Sequence, residues 1–243
     1  MMRSILIFGA NDLRSIARDS LLIYMLLVPW LLVLLMRLLI PLAGDWFALN
    51  YQVALVEYYP LILSFFIILE IPLVFGVIFG LLMLDEKDEQ IFTAIQVTPV
   101  SVVDYALYRF LAAALASMLY VFLTLYATGM VSLSVVISTL PVILLTGLLS
   151  VFVLVFLISF GNNKVEGLAF MKGFGILMLG PLAAYFWDSP WQHLLGVLPS
   201  YWPAKAFWLI SIGSTAWPYV ITGAVYLSLL IACLLFRFKK RLT

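Results

Sequence analysis

PLILSFFIILEIPLVFGVIFGLLML, residues 60–84, decides what kind of molecule this is. A single charge, Glu70, interrupts it. A helix of that length runs about 37 Å at 1.5 Å per residue, enough to cross the ~30 Å hydrocarbon core of a bilayer. The run is continuously apolar rather than alternating, which excludes a membrane barrel strand. Five further stretches read the same way: 21–43, 105–129, 136–160, 167–187 and 215–236. The whole chain is 65% hydrophobic and 10% charged, against about 45–50% and about 25% for soluble domains. Soluble and disordered classes are therefore excluded. The expectation is an all-α membrane protein with six transmembrane helices and one transmembrane domain over residues 1–243, with no room for a folded domain outside the bilayer.

Orientation follows from the basic residues. With the N-terminus inside, Arg3, Arg14, Arg18, Lys87, Arg109, Lys164, Lys172, Arg237, Lys239, Lys240 and Arg241 fall on the inner side, and only Arg37 and Lys205 on the outer. Both termini are expected in the cytoplasm. Trp46, Trp187, Trp191, Trp202, Trp208 and Trp217 gather near the outer boundary, where indole rings favour the interface. A lone Cys233 rules out a disulfide framework within the chain.

Three pieces lie outside the spans. Residues 4–20, SILIFGANDLRSIARDS, read as an amphipathic helix along the inner leaflet. Asn11 or Asp12 caps it, Leu13, Ile16, Ala17 and Leu21 share one side, and Asp12, Arg14, Arg18 and Asp19 face away. It serves as an anchor or as a docking lever. Residues 85–98 read as a short cytoplasmic helix between the second and third spans. Asp85, Glu86, Asp88 and Glu89 crowd its first turn, where acids oppose the positive helix end. Ile91, Phe92 and Ile95 share a face that a partner protein or the headgroup layer would cover, and Thr98-Pro99 stops the helix. Residues 188–214, broken by Pro190, Pro199 and Pro203, read as two short re-entrant helices on the outer side. They form either a gate or an aromatic belt.

Chemistry is sparse. His193 stands alone, no metal-ligand spacing is present, and no G-x-x-x-x-G-K-[ST] binds ATP. No catalytic residue and no cofactor is expected in the chain. Glu70, two residues before Pro72 near the middle of the second span, is the unusual group. An ionised carboxylate there costs several kcal/mol unless paired, hydrated or neutralised. It is a candidate substrate or proton contact, or a protonated acid bonded to backbone freed by Pro72. Gly76 and Gly80 form a G-x-x-x-G face, and Ala112/Ala116 and Ala113/Ser117 a second small-residue face. These serve packing within the chain or against a second copy.

The run LDEKDEQIFTAIQVTPVSVVDYALYR resembles the corresponding loop of type-2 ABC-transporter permeases, through Glu86, Thr98, Pro99, Ser101, Tyr105 and Arg109. The resemblance extends in architecture over nearly the whole chain, with small drug-export permeases the nearest kind. It implies a bacterial or archaeal plasma-membrane exporter of hydrophobic or amphipathic substrates. It also implies docking of a separate cytoplasmic ABC ATPase, which carries ATP and Mg, on Asp85, Glu86, Asp88, Glu89, Ile91, Phe92, Ile95, Thr98 and Pro99. Two permease chains, identical or sister, would assemble with two ATPases. The expected environment is a lipid bilayer, with no nucleic acid. The competing expectation is a self-sufficient proton- or ion-coupled transporter or channel using Glu70.

Overall fold

The computed structural model describes residues 9, 12, 14–90, 102–187 and 189–242, with backbone only for 102 and 239–242. Six helices are long and apolar enough to cross a membrane, and no strand occurs among the described residues. The first, α1, spans Ser20–Tyr51. Asp19 starts it, its carboxylate accepting from the amides of Leu21 at 2.9 Å and Leu22 at 3.4 Å. The helix passes through Pro29 and Pro41 and ends only at Gln52, in the left-handed region at φ 55°. The sequence pattern closed this span at 43. Prolines are tolerated in an apolar medium where neighbouring groups re-satisfy the freed carbonyls, so the helix runs on through Gly44 and Asp45.

Helix α2 (Leu55–Asp88) is composite. It opens with a 3-10 turn over Leu55–Tyr58 and an α turn over Tyr59–Leu63. A π-helical stretch over Ser64–Leu69 follows, then regular helix from Glu70 to Asp88. Helix α3 covers Val102–Ala127, and a short α4 covers Leu133–Ser138. Helix α5 is Leu140–Phe160. Helix α6 spans Lys164–Phe186 and is broken at Phe174 into Lys164–Gly173 and Gly175–Phe186. The stretch expected to hold two short helices holds a 3-10 helix, Pro190–Val197, and α7, Tyr201–Ser211. Helix α8, Trp217–Leu242, closes the chain.

Helix α5 is the hub. It is 83% buried over its most apolar window, whereas α1, α3, α6 and α8 lie between 17% and 33%. It packs against α2, α3 and α8. Small residues set the spacing: a β-carbon on Gly76 would fall 2.6 Å from both the Ser150 carbonyl oxygen and Val153 Cβ, and one on Gly80 would lie 2.7 Å from Leu157 Cδ1. The G-x-x-x-G face thus serves packing of α2 on α5 inside the chain. On the other flank the Ser150 hydroxyl donates to the Ala113 carbonyl at 3.3 Å, and the Ser117 hydroxyl to that of Thr146 at 3.5 Å. With no water to compete and lipid as apolar as leucine, such close contacts and polar bridges hold spanning helices together.

The bundle has a charged end and an aromatic end. At the aromatic end α7 is anchored by fully buried Tyr201 and Phe207. The Trp208 indole donates to the Ser64 hydroxyl at 2.8 Å, tying α7 to the first turn of the π-helical stretch.

Candidate functional site

At the charged end, two cations gather acids from distant parts of the chain. Arg109 sits two turns into α3 and is 2% exposed. Its Nη2 donates to Glu86 at the end of α2, and its Nη1 lies 2.5 Å from Asp12 Oδ1, an ion pair without hydrogen-bond alignment. Its Nε donates to the Tyr105 hydroxyl at 2.8 Å, which in turn donates to Glu86. The Tyr108 hydroxyl donates to Asp12 at 2.7 Å. The guanidinium carbon stands 5.2 Å from the Tyr105 ring centre and 5.9 Å from that of Tyr108, within cation–π range. One arginine so joins the N-terminal segment, the end of α2 and the start of α3. Glu86, Tyr105 and Arg109, matched in the loop resemblance, are in mutual contact.

Lys164 makes the second cluster. Its Nζ donates to Asp19 at 3.0 Å and to Asp85 at 2.5 Å, and its amide donates to Asp88 at 3.2 Å. It stands at the start of α6 and ties the beginnings of α1 and α6 to the end of α2. Partial burial alone would raise the pKa of Asp19. The Lys164 ammonium and the amides of Leu22 and Leu21 outweigh that and hold it below the usual aspartate value.

These contacts correct two expectations. Asp85, Glu86 and Asp88 form the last turn of α2, not the first turn of a new helix. The helix ends when Gln90 enters the left-handed region at φ 60°. Acids in a last turn oppose the helix dipole, and here Arg109, Lys164 and Lys87 compensate them. Of the four acids, Asp85 and Glu86 are engaged within the chain, Asp88 accepts from the Lys164 amide, and Glu89 lies exposed. Ile91, Phe92, Ile95, Thr98, Pro99 and Ser101 lie outside the described residues. Secondly, Asp12 and Asp19 do not face away: Asp12 is 6% exposed beside Arg109, and Asp19 caps α1. Amphipathic spacing assigns every charge to solvent unless a buried partner is known, and Arg109 lies 97 positions later. Residues 14–18 are helical, while most of 4–13 lies outside the described residues.

Glu70 faces a cavity of about 430 Å³ between α1, α2 and α6. Tyr24, Met25, Met171, Phe174 and Gly175 are among its walls. The α6 residues were not legible as site residues, although the pair Gly173 and Gly175 flanking Phe174 is visible in sequence as an interruption of an apolar run.

Six long apolar helices, with α5 buried among them, define a multi-pass all-α membrane protein. Residues 12–235 match the family described as fluoroquinolones export permease protein Rv2686c-like, and the chain belongs to that family. It is 39% identical over 236 residues, 97% of this chain and 93% of the relative, to fluoroquinolones export permease protein Rv2686c of Mycobacterium tuberculosis strain ATCC 25618 / H37Rv. The same figures hold for fluoroquinolones export permease protein MT2760 of Mycobacterium tuberculosis strain CDC 1551 / Oshkosh. No solved structure matches the chain.

Proposed function

We propose that the chain is the membrane-spanning subunit of an ATP-driven exporter that moves fluoroquinolone-like, amphipathic aromatic compounds out of the cytoplasm, with ATP and Mg held by a separate ATPase chain. The Arg109 cluster carries this reading. It fastens the two ends of the loop between α2 and α3 to each other and to the N-terminal segment, so force applied to the loop reaches three elements at once. The ATPase docks on Ile91, Phe92 and Ile95, bounded by Thr98-Pro99, with Glu89 and Asp88 adding orientation more than affinity. Asp85 and Glu86 act behind that surface by bracing it. Both termini and this loop lie in the cytoplasm, and a second copy or a sister permease completes the translocation path.

The test uses inside-out vesicles containing the chain and its ATPase. Uptake of a fluoroquinolone is expected to require ATP. Phe92→Asp is expected to leave membrane insertion intact while abolishing ATPase co-purification and uptake. Uptake by the purified chain alone, driven by a proton gradient in liposomes, would overturn the proposal in favour of a secondary transporter.

A further inference from the structure

Glu70 stands in the middle of the 34-residue α2, and among the described residues no hydrogen bond or ion pair reaches its carboxylate. A lone acid at that depth is costly unless something supplies an opposite charge. Among the described residues, Glu70 is, apart from Tyr24, the only ionisable side chain on the cavity wall, and the rest of the described lining is aliphatic, aromatic, thioether or glycine. A volume of about 430 Å³ falls in the range of small-molecule sites, roughly 300–1,000 Å³.

Two of the three walls are irregular at the cavity. The π-helical stretch of α2 delivers its final turn at Glu70, whose amide donates to the carbonyl of Phe65, five residues back. Across from it α6 breaks at Phe174, between Gly173 and Gly175. Single π turns gather at functional sites, and broken spanning helices near mid-membrane are where transporters hold ligands. Toward the charged end, Lys164 ties together the three helices that form the cavity.

We propose that this cavity binds amphipathic cations, Glu70 pairing with the positive group while Phe174, Tyr24 and the methionines Met25 and Met171 take the aromatic body. Anions find no cation among the described residues of the wall. A metal ion finds one carboxylate where it needs several oxygen donors. Methionine adapts to irregular apolar shapes, and aromatic faces attract cations. The inference rests on the export reading and names its substrate class: amphipathic compounds that pair a positive group with an aromatic body.

The probe is radiolabelled tetraphenylphosphonium, a permanent aromatic cation, added to the full purified chain in detergent without ATP or ATPase. Saturable binding is expected. Glu70→Gln should weaken it by about tenfold or more, the loss of one Coulombic attraction in a site of low dielectric, and Glu70→Asp should retain most of it. Triphenylphosphine oxide, a neutral aromatic, should compete equally in wild type and Glu70→Gln. Gly175→Leu gives a second arm. A β-carbon there meets nothing within 4 Å, so the variant should fold and elute as wild type while its side chain fills the cavity and blocks the probe. No saturable binding by wild type, unchanged affinity in Glu70→Gln, or unchanged affinity in Gly175→Leu would overturn the proposal. Because the assay needs no ATPase, its failure leaves the docking proposal standing. Conversely, normal cation binding by a chain that exports unaided would sink only the ATPase reading.

Discussion

Arg109 is held by side chains from three separate stretches of sequence, and the loss of any partner is unequal to the loss of the arginine. Arg109→Met strands Glu86 and Asp12 in a site where both are largely buried. An orphaned buried charge costs about 3–5 kcal/mol. Thermal unfolding in detergent should therefore shift strongly downward, and Glu86→Gln added to Arg109→Met should recover part of the shift. Asp19 behaves differently, because it both caps α1 and pairs with Lys164. Its lowered pKa means that its stabilisation is present above the ordinary aspartate range and is lost as pH falls from that range through the lowered native value. Asp19→Asn, which keeps a capping oxygen, should flatten the fall in stability that sets in as pH drops below about 5. Asp19→Ala should lose about 1 kcal/mol at neutral pH as well. Glu86, Tyr105 and Arg109 were legible as a spaced pattern; Asp12, Asp19 and Lys164 were not, since pairing over 90 or more positions leaves no periodic trace.

Among the helices, glycines divide by what surrounds them. Gly76→Ala would drive its methyl group into the backbone of Ser150 and the β-carbon of Val153, which cannot swing aside. Overpacking of that kind costs about 1–3 kcal/mol. Gly80→Ala meets the flexible end of Leu157 first and should cost less. Gly173→Ala meets nothing within 4 Å and should be neutral or stabilising by up to about 1 kcal/mol. Ranking the three by thermal unfolding in detergent checks the packing of α2 on α5 directly. All six long helices were legible because apolar runs of that length have few other solutions in a bilayer. Their ends were less so. The pattern stopped α1 at 43 where the helix runs to Tyr51, and it gave the acids 85–88 to the wrong helix, because nothing before Gln90 breaks the run locally.

The molecule as a whole is built on a hub helix, α5, packed mainly against α2, α3 and α8, and hydropathy separates the buried helices from the rim only narrowly. Helix α5 differs from α1 far more in burial, 83% against 17%, than in mean hydropathy, 2.9 against 2.4, since lipid and protein interior select similar side chains. Sidedness is checked by cysteine labelling after Cys233→Ser. In intact cells a membrane-impermeant maleimide should modify Ser214→Cys but not Glu89→Cys until the cells are permeabilised. Labelling of Glu89→Cys from outside would invert the proposed topology and remove the loop from any cytoplasmic ATPase. The π-helical stretch has a reach of its own. Its six residues are wound more loosely than an α-helix, so rewinding them would turn everything beyond by about 100° relative to Pro60. Trp208 grips the first of those residues, so the aromatic cap and the acid are geared through one loosely wound coil. Shortening that coil by a single residue, for instance by removing exposed Phe66, should let ordinary winding return with the carboxylate still aimed as before.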